Sequence, residues 1–132
     1  MATLAATDPA NPYGALVPWP DWPGAESLRA SRSAGARVVL VDGRAAAWIA
    51  RGDRQLLSAL PDEEPDRARV GRALARELVR LAYDDPADRR GWLVAEVNGA
   101  PAAVSPIGPF LLEQGFAVTS GGLQLRVPRR MA

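Results

Sequence analysis

Proline is concentrated near the start of the chain, and no other sequence feature limits the possible folds of a region so strongly. Between Asp8 and Pro20 there are four prolines in thirteen residues. Each proline fixes φ and removes a backbone N–H donor, so this stretch cannot be a helix interior or a central strand. We therefore predict an extended, turn-rich arm and connector over residues 1–35, followed by a single folded domain over residues 36–132.

Aromatic side chains distinguish this arm from a solvated linker. Flexible Pro-rich linkers are usually surrounded by Ser, Glu, Gln and Lys, whereas this segment carries Tyr13, Trp19 and Trp22. Large rings gain most when they are buried against another surface, so we predict that these three residues form a docking arm. The favoured surface is the chain's own domain. The tryptophan rings could instead stack on the bases of a nucleic-acid strand.

Strand signals follow the connector. Apolar runs flank Asp42-Gly43, the kind of pair that most strongly indicates a tight β-hairpin. The first run, Val38 to Val41, is apolar on both faces, which predicts a central position in its sheet. A third strand is expected from Gln55 to Leu60.

A long helix is predicted from about Pro65 to Tyr83, because Val70, Leu74 and Leu78 recur at helical spacing. After it, Asn98-Gly99 predicts a second hairpin. The fold class is therefore α+β, with a mainly antiparallel sheet built from hairpins, one long helix and one short helix. The predicted order of elements is βββ-α-ββ-α-ββ.

The end of the domain carries further turn and cap signals. A short strand is expected near Ala102 to Val104. Ser105 and Pro106 are typical of the N-cap and first turn of a helix, and Gly115 of its C-terminal end. A last hairpin is expected to close the domain.

The composition excludes several kinds of catalytic site. The chain has no Cys and no His, which removes thiol nucleophiles, His-based triads and thiolate zinc sites. All 16 basic residues are Arg, so the lysine of an ATP-binding phosphate loop is absent as well. We predict no catalytic residue, no metal site and no cofactor. Whether the chain is an enzyme in any other way is left open.

Charge and hydropathy limit the possible partners. The net charge is only +1, so contact with a nucleic acid would require a local patch. No apolar run approaches the roughly 18 residues needed to span a bilayer, and no signal peptide opens the chain. A cytoplasmic location without a membrane partner is expected.

Four arginines define one face of the predicted long helix. Their spacings of three, four and four residues place them within about 80° of the helix circumference, away from the leucine stripe. They are Arg69, Arg72, Arg76 and Arg80. The sequence predicts that these charges are unpaired. Three interpretations follow: a nucleic-acid-binding face that holds phosphates, a contact with a partner domain, or an ordinary solvated surface.

Several short motifs are distributed between Asp8 and Arg126. They are Asp8-Pro-Ala-Asn-Pro-Tyr-Gly, Pro18-Trp-Pro, Gly35 to Gly43, Arg51 to Leu57, Glu96 to Gly99, Ser105-Pro106, Gly115-Phe116 and Gly122 to Arg126. Together they resemble the C-terminal module of the Lhr (large helicase-related) family, a group of superfamily 2 ATP-dependent DNA helicases linked to DNA repair. The resemblance implies an accessory module and not a motor, because the ATPase domains of the family lie far upstream.

The resemblance also implies partners and alternative functions. The implied partners are DNA, upstream helicase domains or another copy of the chain. Because the C-terminal extension of the family is similar to DNA glycosylases, one alternative is a nucleic-acid processing enzyme that uses Asp42, Glu96 or Glu113. No acid follows Glu113, so a catalytic carboxylate near the C-terminus is absent. Another alternative is a self-association module. The sequence does not decide whether the chain is a fragment or a free-standing protein.

Overall fold

The computed structural model describes residues 1–24, 28–84 and 91–126. Within these ranges it contains nine strands and two α-helices. The elements are β1 (Ala2–Ala5), β2 (Arg37–Val41), β3 (Arg44–Ile49), β4 (Gln55–Ser58), α1 (Asp66–Tyr83), β5 (Gly91–Val94), β6 (Glu96–Val97), β7 (Ala100–Pro101), α2 (Gly108–Glu113), β8 (Ala117–Thr119) and β9 (Gly122–Arg126). The predicted α+β class with one long and one short helix is confirmed.

The strands form two sheets. Six strands form the larger sheet in the order β1-β2-β3-β4-β6-β7, and three form the smaller sheet in the order β5-β9-β8. All described pairs are antiparallel except β4 with β6, which confirms the mainly antiparallel prediction. Only Ala95 separates β5 from β6, so the chain passes from one sheet to the other within a single residue.

The sequence of β2 explains its interior position, between β1 and β3. Val39 faces the main core, which α1 covers with Leu74 and Leu78, while Val38 faces the opposite side of the sheet. Both valines are fully buried. A strand that is apolar on both faces needs a cover on each side, and α1 supplies only one of them.

The arm supplies the second cover. Tyr13 is buried against Val38 and Ala45, and the rings of Trp19 and Trp22 pack beside it and over Trp48. Tyr13 and Trp19 stack with their ring centroids 5.8 Å apart. The structure therefore places the aromatic residues of the arm on the chain's own sheet, and docking onto another protein or module stays a prediction.

Asn11 and Arg32 hold the arm in its path. The Asn11 side chain is buried; it donates to the Ala6 carbonyl at 3.0 Å and accepts from the Tyr13 N–H at 3.0 Å. The Arg32 guanidinium donates to the carbonyls of Asn11, Tyr13 and Asp8 at 2.5, 3.0 and 3.1 Å. These bonds pair backbone carbonyls of an arm whose prolines supply no N–H donors.

Both predicted hairpin turns are present. Asp42 and Gly43 have φ values of 54° and 76°, and Asn98 and Gly99 have values of 54° and 78°. Two successive residues with positive φ are the signature of the tight turn that Asp-Gly and Asn-Gly favour. Strand β1 was not predicted; it pairs with β2 from Ala2 opposite Leu40 to Ala5 opposite Arg37.

The region around α2 differs from the prediction. Ala102–Val104 forms a 3-10 helix in place of a strand. Helix α2 begins at Gly108 and not at Ser105-Pro106. The Ser105 hydroxyl instead donates to the Ala102 carbonyl at 2.6 Å, at the end of the 3-10 turn. A serine followed by proline caps either kind of turn, so the local signal did not distinguish them.

In the part of the chain that the structure describes, no helix is both long enough and apolar enough to cross a bilayer.

Gly14 and Gly43 offer a matched test of the packing of the arm. Their φ values are nearly equal, at 78° and 76°. A Cβ at Gly14 would lie 2.6 Å from Nε1 of Trp19, whereas a Cβ at Gly43 would meet nothing within 4 Å. Gly43→Ala should reduce the free energy of unfolding by about 1–2 kcal/mol, the cost of a left-handed backbone. Gly14→Ala should cost a further ~1–3 kcal/mol through overpacking.

Chemical denaturation followed by tryptophan fluorescence measures both losses. Equal losses in the two variants would contradict the packing of Trp19 against Gly14.

Candidate functional site

A groove of about 720 Å³ lies where the arm, the β2–β3 hairpin and the start of α1 meet. Residues that line it include Tyr13 and Pro20 of the arm, Asp42 and Arg44 of the hairpin, and Asp66 and Arg69 of α1. The groove therefore brings together a residue of the predicted docking arm, one of the predicted helix arginines and one of the candidate carboxylates. The other three helix arginines are not among its lining residues.

Arg69 is held by carboxylates on both sides. Its guanidinium lies 2.7 Å from Oδ2 of Asp42 and 3.5 Å from Oδ1 of Asp66. The hydrogen bond and the charge of Asp42 raise the pKa of Arg69 above its ordinary value. Asp42, one of the carboxylates considered for catalysis, thus serves as the partner of an arginine.

Arg72 pairs with Glu113 across the contact between α1 and α2. Its Nε and Nη2 atoms lie 3.3 and 3.5 Å from the two carboxylate oxygens of Glu113. About half of each side chain is exposed. Long contacts between exposed groups contribute little to stability, so this pair can open at small cost.

Arg80 forms the tightest pair of the face. Its Nε and Nη2 atoms lie 2.6 and 2.7 Å from the two carboxylate oxygens of Glu77, and Nη1 lies 2.8 Å from Asp84. Glu77 is only 4% exposed and also accepts a hydrogen bond from the Thr3 hydroxyl. The hydrogen bond from Arg80 lowers the pKa of Glu77, although burial of the carboxylate acts in the opposite direction. The same contact raises the pKa of Arg80.

Arg76 is exposed, and no ion pair or side-chain hydrogen bond is found for it within residues 1–24, 28–84 and 91–126. The prediction of four unpaired charges is therefore wrong for Arg69, Arg72 and Arg80. Two of the partners, Asp42 and Glu113, lie 27 and 41 residues away along the chain, which is why spacing along the helix could not find them. Whether the face binds a nucleic acid stays a prediction.

The remaining candidate carboxylate, Glu96, lies on β6 opposite Pro101 and is partly buried. No group of three or more His, Cys, Asp or Glu side chains that could hold a metal ion occurs among the described residues.

Comparison with known proteins gives two matches along nearly the whole chain. No family model matches. A Mycolicibacterium smegmatis protein named Lhr helicase/probable uracil glycosylase is 53% identical over 131 residues, which cover 93% of this chain and 8% of that protein. An Escherichia coli protein named Lhr helicase/uracil glycosylase is 36% identical over 120 residues, which cover 91% of this chain and 7% of that protein. The chain spans less than a tenth of the length of either relative.

The Glu77 site predicts how stability depends on pH. Because the pKa of Glu77 is lower in the folded state than its ordinary value of 4.5, its stabilising effect is complete above pH 4.5. The effect is lost as the pH falls through the folded-state pKa. Glu77→Gln should lower the free energy of unfolding at pH 7 by about 1–3 kcal/mol and flatten the loss of stability in acid.

Denaturation at a series of pH values measures both effects. Glu113→Gln, which removes a charge from an exposed pair, is the control and should change stability at pH 7 by less than about 1 kcal/mol. Equal acid sensitivity in Glu77→Gln and the unaltered chain would contradict the role of Glu77.

Proposed function

We propose that this chain is a non-catalytic accessory module of an Lhr-type DNA-repair helicase. The proposal rests on its similarity to the Lhr proteins, in which it corresponds to the C-terminal module. In this proposal it acts in the cytoplasm and supports contact with DNA and with other helicase domains. It contributes no ATPase chemistry, since it has no lysine for a phosphate loop.

The observation that carries the DNA contact is the state of Arg76. This arginine is exposed in the middle of α1 and has no carboxylate partner among the described residues, so its guanidinium is available to a phosphate. Arg72 lies one helical turn away, and its long contacts with Glu113 can exchange for a phosphate oxygen. These two residues form the proposed DNA contact.

Arg69 and Arg80, at the two ends of the face, have a different role in this proposal. Each is bound by two carboxylates, and Arg80 compensates the buried charge of Glu77. Moving either guanidinium to a phosphate would leave its carboxylates unpaired, with the greatest cost at Glu77. We therefore assign them to the stability of the fold.

Substitutions at Arg76 and Glu113 should change DNA affinity in opposite directions. Arg76→Glu should weaken binding to a fluorescein-labelled duplex about tenfold, equivalent to about 1.4 kcal/mol, and reduce the salt slope by about 1. Glu113→Gln should strengthen binding about twofold, because it releases Arg72. Fluorescence anisotropy at several salt concentrations measures both changes.

Arg54→Glu is the matched control for Arg76→Glu. Arg54 is also exposed, and the two substitutions make the same change in net charge, but Arg54 lies in the loop before β4. Equal losses from Arg54→Glu and Arg76→Glu would indicate a general effect of charge and would overturn the assignment to Arg76.

A second candidate function is the excision of uracil from DNA, which the printed names of both relatives favour. An excising carboxylate must contact the sugar or a water molecule beside a base that has left the helix. Asp42 and Glu113 instead hold arginines, and Glu96 lies within the larger sheet. We therefore propose that excision in an Lhr-type protein requires residues outside this chain.

Incubation of the chain alone with a uracil-containing oligonucleotide, followed by alkaline cleavage at abasic sites, tests this proposal. We expect no more cleavage than in a sample that contains no protein. Cleavage that Asp42→Asn, Glu96→Gln or Glu113→Gln abolishes would establish the enzyme alternative and identify its carboxylate.

A further inference from the structure

The arm contains an exposed turn at Gly14–Pro18, here called the arm apex. Leu16 is 89% exposed and Val17 is 41% exposed. Every residue from Gly14 to Pro18 is exposed, although Tyr13 and Asn11 just before them are buried. The apex therefore presents an apolar surface to solvent and does not add to the packing of the core.

Hydrogen bonds fix the conformation of the arm apex. The Pro12 carbonyl accepts from the N–H groups of Ala15, Leu16 and Val17 at 3.3, 2.9 and 3.0 Å. The Gly14 N–H donates to the Val17 carbonyl at 2.8 Å. The positive φ of Gly14 permits this turn, and the Trp19 ring packs against the same glycine.

The base of the apex is fixed to the domain as well. Arg32 binds the carbonyls of Asn11 and Tyr13, on either side of Pro12, and Tyr13 lies on the sheet. These contacts join the turn that carries Leu16 to β2 and β3. A rigid apolar group loses little conformational entropy when it binds, and preorganisation of this kind favours recognition.

We propose that the arm apex is a docking surface that inserts Leu16 and Val17 into an apolar cleft on another domain of an Lhr-type protein. The segment from Pro9 to Pro20 carries no charged residue, so an uncharged, apolar cleft is its complement. In both relatives, more than nine-tenths of the protein lies outside the matching segment. We therefore propose that the cleft belongs to another domain of the same protein.

This docking surface is separate from the proposed DNA contact. The arm covers one face of the larger sheet, and α1 packs on the other. The inference rests on the proposed accessory role beside other domains but not on DNA binding by Arg76. Failure of one contact can therefore be distinguished from failure of the other.

The test protein is the Mycolicibacterium smegmatis relative in which this chain replaces the matching segment. A photoreactive benzoylphenylalanine is placed at position 16, and in a control at position 118, where Val118 is 64% exposed on β8. Irradiation and mass spectrometry should find cross-links from position 16 to another domain of the same polypeptide and at least fivefold fewer from position 118. Limited proteolysis that gives the same protected fragments in the chimera and in the relative shows that the exchanged module is folded.

Two results would overturn the proposal. One is the absence of interdomain cross-links from position 16, and the other is cross-linking only between two copies of the chain. If the chimera does not fold, the same probe is placed in the relative itself, at the residue aligned with Leu16, with the same criteria.

A substitution at Leu16 supplies a second measurement. Leu16→Asp should leave the denaturation midpoint of the isolated chain unchanged, because Leu16 is 89% exposed, and should lower the melting temperature of the chimera. The DNA affinity of the isolated chain should not change with this substitution. An equal effect on chain and chimera would mean that Leu16 supports the fold of the module and does not dock.

Discussion

The fold depends on one constraint, which is that the strands at the centre of the larger sheet are apolar on both faces. Val39 and Leu56 face α1, while Val38 and Leu57 face the arm. Removing either cover would expose fully buried side chains, each of which contributes about 1.5–3 kcal/mol when buried. The Pro-rich arm is therefore a layer of the domain, and its aromatic residues belong to the core.

A second constraint is that every basic residue on the exposed side of α1 is an arginine. With arginine as its only basic residue, the chain uses guanidinium groups both to hold elements together and to face solvent. Arg69 joins α1 to the hairpin, Arg72 joins it to α2, and Arg80 neutralises Glu77, which also binds Thr3 of β1. Two of the four arginines thus join α1 to another element, Arg80 binds carboxylates of α1 and its C-terminal end, and Arg76 has no carboxylate partner among the described residues.

Sequence reasoning succeeded where the relevant information is local. The Asp42-Gly43 and Asn98-Gly99 turns, the limits of α1 and the interior place of β2 all follow from adjacent residues or from helical periodicity. It failed where the decisive partner is distant in the chain, and it also failed for Arg80, whose partner Glu77 is only three residues away. Strand β1 has only four residues and requires β2 as its template, and nothing near Arg72 indicates Glu113. The resemblance to Lhr proteins rests on short motifs in the sequence, and two proteins of that name match 91–93% of the chain.

The junction at Ala95 limits how this domain can change in evolution. Its N–H donates to the Arg54 carbonyl at 2.8 Å, and its own carbonyl accepts from the Ala102 N–H at 3.1 Å, so the link between the two sheets contains no slack. Surface loops of related proteins commonly gain or lose residues. One residue added here would reverse the facing of the strand that follows and expel Val97 from the core. Length variation among related modules should therefore avoid this position, and alignments can be anchored on it.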